Sequence, residues 1–230
     1  MSNSNNLHVL NSENKMMLLD PVYYSNEDEF EKFIIQNLSL LDCISDFGTP
    51  VLLEDQHGIS DSLNINTRWE ADLLLCDRNA KPIVVEIKRK NDQRIKTKST
   101  NNRREVIGQI WEYAANLKEF DNQAFKSMTD NIVKKYGFDK KLYNETLYSL
   151  HAEEDFLEEF NKNILSKNIT LCILTEDIDK ELQVLLEYMN DTDPQTFIGL
   201  EIKQYIDDNK KLYSSKVYGY TQKQKTLKLK

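Results

Sequence analysis

The sequence predicts a mixed α/β domain whose central sheet is covered by helices on both faces. Three observations lead there. Two short apolar runs, Trp69 to Cys76 and Pro82 to Ile87, are separated by the turn-forming stretch Asp77-Arg78-Asn79-Ala80-Lys81. Helical periodicity flanks them, and strand character returns at Ile169 to Leu174 and again near Thr196 to Ile206. The 230 residues are 40% hydrophobic and 30% charged, which suffices for one large core, and six Gly with four Pro exclude collagen-like and Pro-rich low-complexity classes. No apolar run approaches the roughly 20 residues a bilayer crossing takes, so no membrane association is expected.

Residues 1–20, Asn- and Ser-rich at their start and without periodicity, are expected to form a poorly ordered arm, leaving 21–230 as one domain. Ser25 offers a helix N-cap, Glu27, Asp28 and Glu29 supply an acidic first turn, and Phe30, Phe33, Ile34, Leu38 and Leu41 form an apolar stripe. An amphipathic helix ending near Leu41 follows from that spacing. A loop with Gly48, Pro50 and His57-Gly58 leads into the predicted β-hairpin. After it, Ile107, Ile110, Trp111, Ala114 and Leu117 recur at spacings of three and four, predicting a helix over 104–120. Residues 121–165 read as a helical insertion rich in aromatics, and a strand, a helix at about 177–189 and a last strand close the domain. Trp69 and Trp111 are assigned to the core. His8, His57 and His151 are too scattered to ligate metal. Cys43, Cys76 and Cys172 read as reduced, small buried hydrophobes, and with no basic-then-apolar leader at the start a cytoplasmic location is expected.

The formal net charge of −8 argues against coating nucleic acid by bulk charge, but the charge is unevenly placed. From Lys88 to Arg104, Lys88, Arg89, Lys90, Arg94, Lys96, Lys98, Arg103 and Arg104 face a single acid, Asp92. This basic loop is either a solvated face or a grip on a phosphate backbone, and its position beside the charged residues considered next favours phosphate.

If the hairpin turn is centred on Asn79, antiparallel pairing sets Asp72 directly opposite Glu86. Lys88, two residues on, projects from the same face as Glu86. The neighbours are apolar (Ala71, Leu73, Leu74, Leu75, Val84, Val85, Ile87), so two carboxylates are to be buried side by side, at a cost of several kcal/mol unless a cation answers them. Either Lys88 neutralises one of them in an ion-pair network, or a Mg²⁺ ion binds both and completes its shell with water and phosphate oxygens. The second alternative describes metal-assisted phosphodiester hydrolysis, with Lys88 holding water or neutralising developing charge.

Asp72-x13-Glu86-x-Lys88, with Ile83-Val84-Val85 before the Glu, resembles the motif of the PD-(D/E)xK nuclease superfamily, with Ala71 at its commonly varied proline position. Gln109 and Tyr113 form a Q-x-x-x-Y pair similar to the accessory motif of RecB-like and NucS-like nuclease domains. The resemblance covers residues 25–120 well and 169–206 more loosely; the insertion has no assigned counterpart. It implies a restriction-endonuclease-like core and a Mg²⁺- or Mn²⁺-dependent endodeoxyribonuclease acting in DNA repair or in defence against foreign DNA. It further implies metal ligation by Asp72, Glu86 and the Ile87 carbonyl, catalysis by Lys88, and support from Gln109, Tyr113 and an acid of the first helix. Glu27 is the better match for that acid and Glu31 the second. Arg89, Lys90, Arg94, Lys96, Lys98, Arg103 and Arg104 would hold DNA. RNA stays open as a substrate, as does a homodimer, since double-strand cutting generally needs two sites. The rival reading is a catalytically silent module of the same fold that binds nucleic acid or a protein partner.

Overall fold

The computed structural model describes residues 7–10, 14–55, 71–89, 100–119, 121–192, 195–207 and 210–219. Trp69 and His57 lie outside them. In chain order the strands are β1 (Leu7–Leu10), β2 (Met16–Leu19), β3 (Pro21–Val22), β4 (Val51–Asp55), β5 (Leu73–Cys76), β6 (Pro82–Lys88), β7 (Thr170–Thr175), β8 (Thr196–Asp207) and β9 (Lys210–Tyr218). The α-helices are α1 (Glu27–Gln36), α2 (Thr100–Asn116), α3 (Asn122–Tyr136), α4 (Lys140–Leu147), α5 (Glu153–Leu165) and α6 (Lys180–Thr192). Seven strands form one mixed sheet in the order β3-β8-β7-β6-β5-β4, with β9 along β8.

β4, β5 and β6 are mutually antiparallel, whereas β6, β7 and β8 run parallel. A parallel pair needs a long crossover. The connection from β6 to β7 carries α2 to α5, so the expected helical insertion is part of this crossover, and α6 fills the next one. Phe30, Ile34, Leu73, Val84, Leu171 and Leu200 are fully buried between sheet and helices.

The β5–β6 hairpin carries the candidate site, and its turn is locally determined. Asp77 Oδ1 accepts the backbone N–H groups of Asn79 and Lys81, each at 2.9 Å, and Ala80 takes a left-handed conformation, φ 59°. From the insertion, buried Asn163 on α5 donates to the Ala80 carbonyl at 3.0 Å and accepts from Asn168 at 2.7 Å. The crossover thereby holds the hairpin turn in place.

Several expectations are corrected. Within residues 1–20, Leu7–Leu10 and Met16–Leu19 pair into a two-stranded sheet, and β3, at the start of the expected domain, joins the main sheet beside β8. The cap of α1 is Asn26, whose Oδ1 accepts from Glu29 N at 2.8 Å, and the α-helix ends at Gln36, with a 3-10 segment Leu38–Ile44 carrying the stripe onward. β4 falls in a stretch read as loop, because a five-residue strand with four residues buried, all but Glu54, lacks the alternation that marks strands in sequence. α6 begins three residues late because Asp179 accepts Leu182 N at 2.7 Å. On α2 the buried stripe is Val106, Ile110, Tyr113 and Ala114, continued by Leu117 in the 3-10 turn that follows, while Trp111 is 45% exposed and stacks on Phe197 rather than entering the core. All three cysteines are free thiols; Cys76 and Cys172 are buried as expected, whereas Cys43 is only half-buried.

Candidate active site

The pairing Leu73↔Val85 continues by one step to set Asp72 opposite Glu86, the register read from the turn. Asp72 is 1% exposed, and Glu86 and Lys88 are 2% exposed each. Lys88 Nζ lies 2.8 Å from Glu86 Oε1, 3.7 Å from Asp72 Oδ2 and 3.4 Å from Glu27 Oε1. It also donates to the Ile87 carbonyl at 2.8 Å, and Asp72 Oδ2 accepts from the Ile87 N–H. The expected site residues of the hairpin and of α1 therefore converge on one ammonium. Of the two α1 acids, Glu27 reaches it. Glu31, itself buried, senses Asp55 instead, and Asp55 takes Lys135 Nζ at 2.6 Å and the Tyr136 hydroxyl.

The electrostatics express the crowding. Burial, then Glu86, pushes the Asp72 carboxyl well above the ordinary range. Burial alone pulls the Lys88 ammonium down, but Asp72, Glu86 and Glu27 together hold its pKa above the usual value. Three carboxylates share one cation, leaving a formal excess of two negative charges when all are ionised.

Neither family models, curated proteins nor solved structures yield a match to this chain.

The donor set fits a hard divalent cation: two facing carboxylates and the adjoining Ile87 carbonyl are all oxygen donors, with charge still to be neutralised. Among the described residues no three His, Cys, Asp or Glu side chains form a metal cage. Asp72 and Glu86 match the one or two carboxylates that Mg²⁺ takes, with water and phosphate supplying the rest. The site sits at the carboxyl end of β6, where open α/β sheets place their ligands.

Gln109 and Tyr113 lie on α2, which packs against β6 and β7. Tyr113 is 4% exposed, and its hydroxyl meets Glu54 Oε2 of β4 at 3.5 Å. Burial and, secondarily, Glu54 raise the Tyr113 pKa, while burial lifts Glu54 to about 7 against the lowering effect of the Tyr113 hydrogen bond. The Q-x-x-x-Y tyrosine is thus tied to β4, and Gln109 Oε1, one helical turn nearer the start of α2, is buried with no hydrogen-bond partner among the described residues.

Of the expected nucleic-acid-binding residues, Lys90, Arg94, Lys96 and Lys98 lie outside the described residues, and Arg103 and Arg104 are described as helix backbone alone. Arg89 is described, and its guanidinium donates to the Tyr24 carbonyl at 2.6 Å. Sequence reasoning missed Glu54, because β4 was missed, and it missed the end of β7 and the middle of β8. There Glu176 accepts from Tyr24 N at 2.7 Å, and Lys203 lies 2.7 Å from Glu201. The signal for the second pair was present: Glu201-Ile202-Lys203 repeats Glu86-Ile87-Lys88, and Lys88, Thr175 and Glu201 are aligned across three parallel strands.

Proposed function

We propose that the protein is a Mg²⁺- or Mn²⁺-dependent endonuclease with a restriction-endonuclease-like core, hydrolysing DNA phosphodiester bonds in repair or in defence against foreign DNA. The observation that carries this reading is the convergence of Glu27, Asp72 and Glu86 on Lys88, with more negative charge than the lysine neutralises. The succession α1-β4-β5-β6-α2-β7, antiparallel up to β6 and parallel from β6 to β7, supports the core assignment. Asp72, Glu86 and the Ile87 carbonyl would hold the cation, which when bound polarises the phosphodiester and makes a bound water more acidic.

The chain's own groups account for the rest. The Lys88 ammonium, already beside both carboxylates, positions the attacking water and offsets the charge that builds on the phosphoryl oxygens. Glu27 is 30% exposed at its side chain, faces the ammonium from α1, and orients it from the solvent side. Tyr113 and Glu54 brace α2 against β4, which sets the height of Gln109. The Lys- and Arg-rich stretch from Lys90 to Arg104 would supply contacts to the phosphate backbone.

One observation favours the rival, catalytically silent module: the direct 2.8 Å contact of Lys88 with Glu86 neutralises that carboxylate without a metal. Cleavage of labelled single-stranded, duplex, branched and RNA substrates in Mg²⁺ and Mn²⁺ tests both readings, with Glu86→Ala and Lys88→Ala alongside. Metal-dependent cutting lost in both variants establishes the nuclease and names its substrate. Binding without cutting in all three proteins would establish the silent module.

A further inference from the structure

We infer that Glu176 and Arg89 are positioning residues that hold Glu27 against Lys88 by gripping both peptide groups of Tyr24. The inference rests on the nuclease reading of the site. Arg89 directly follows Lys88 at the end of β6, and its Nη2 donates to the Tyr24 carbonyl at 2.6 Å. Glu176 directly follows Thr175, the residue paired with Lys88 across the parallel strands, and its Oε1 accepts from the Tyr24 N–H at 2.7 Å. The ends of two adjacent parallel strands thus fasten one residue from its two sides. Glu176 is 2% exposed, so its carboxylate is a built element of the interior rather than a surface charge.

Tyr24 stands three residues before Glu27, and the chain between them has no slack. Asn26 is the N-cap of α1, with its Oδ1 on Glu29 N at 2.8 Å, and the Ser25 hydroxyl bonds the Glu29 carboxylate. The Tyr24 ring stacks on Phe30 at 5.0 Å and packs against Phe33 at 5.4 Å, a staple that sets the angle at which the chain enters the helix. A displacement of Tyr24 is therefore transmitted to the first turn of α1. Glu27 reaches Lys88 at 3.4 Å, at the long end of a hydrogen bond, so a small retreat of that turn breaks the contact. Glu176 and Arg89 touch neither substrate nor Lys88 in this account; they act through Glu27.

The test combines kinetics with a measurement that needs no activity. Glu176→Ala removes the acceptor, whereas Glu176→Gln keeps an amide oxygen for the Tyr24 N–H. Amide hydrogen exchange should quicken at least tenfold at Tyr24 and through residues 27–29 in Glu176→Ala and stay near wild type in Glu176→Gln. In cleavage assays Glu176→Ala should lower kcat about tenfold with KM little changed, Glu176→Gln should restore most of it, and Arg89→Met should behave like Glu176→Ala. In a Glu27→Ala background the Glu176→Ala penalty should disappear, because the residue it positions is already gone. An equal penalty in both backgrounds, or unchanged exchange at Tyr24, overturns the inference. If the wild-type protein cuts no substrate, the nuclease reading falls instead, while the exchange data still decide whether Glu176 holds the entry to α1.

Discussion

Lys88 and Glu86, two residues apart on β6, form a 2.8 Å ion pair inside the protein, and Asp72 from the neighbouring strand and Glu27 from α1 close on the same ammonium. A buried pair of this kind is weak evidence for stability, since desolvation offsets its attraction, but removing one partner exposes the whole imbalance. That asymmetry makes the site testable by thermodynamics before any substrate is known.

Substituting the cation should be costly. Lys88→Met leaves Asp72, Glu86 and Glu27 without their shared partner and is expected to destabilise the protein by about 3–5 kcal/mol near neutral pH. Part of that loss should return in urea melts as pH falls, because the Asp72 carboxyl, pushed up by burial and then by Glu86, takes up its proton early. A loss that does not depend on pH would mean that packing of the lysine stem, and not its charge, is what matters.

Divalent ions should stabilise the folded chain. At a concentration about 100 times the dissociation constant, Mg²⁺ or Mn²⁺ is expected to add roughly 2.7 kcal/mol, and the gain should vanish in Asp72→Asn and in Glu86→Gln. Thermal melts with and without the ion, at constant ionic strength, give the answer, and an unchanged Tm in wild type would count against the metal.

Glu31 supplies a pH signature away from the site. Burial, then Asp55, lifts its carboxyl from 4.5 to about 7. The folded state therefore keeps a proton that the unfolded chain has lost, so this group's contribution to stability falls as pH rises from about 4.5 through about 7. Glu31→Gln should melt like wild type at pH 5 and be more stable at pH 8 by on the order of 2 kcal/mol, or roughly 4–8 °C. Parallel Tm-versus-pH curves for the two proteins would refute this.

Tyr113 and Gln109 should separate in their effects. Tyr113→Phe removes the contact to Glu54 and is expected to cost about 1 kcal/mol, with a less than tenfold loss of cleavage, because the hydroxyl meets β4 and not Lys88. Gln109→Ala should spare stability and lower cleavage more. The reverse order would place the tyrosine at the substrate.

Asn163 links the helical crossover to the hairpin turn. Asn163→Ala strands the Ala80 carbonyl and Asn168, and about 1–3 kcal/mol should be lost in denaturant melts. Faster amide exchange at Asn79 to Lys81 should accompany it. An effect confined to α5 would show that the turn holds itself through Asp77.

The hairpin and its charged residues were legible in the sequence because their determinants are local. Turn residues 77–81 between two apolar runs set the register, and register alone aligns Asp72 with Glu86 and keeps Lys88 on the same face. The helices that pack around the sheet were legible through their periodicity, apart from boundaries decided by single caps such as Asn26 and Asp179. Other features depend on distant partners and leave no local pattern. β4 is a strand because β5 accepts it as a neighbour, and β1 and β2 pair with each other in a stretch that carries no periodicity of its own. The choice of Glu27 over Glu31 turns on how α1 enters the fold, which Arg89 and Glu176 set from the ends of two strands far away in sequence. Alternation and turn chemistry are properties of neighbouring residues and can be read along the chain. That Glu27 meets Lys88, 61 residues away, and that Glu176 holds Tyr24, 152 residues away, depends on distant elements being packed against one another, and only the tertiary structure decided that.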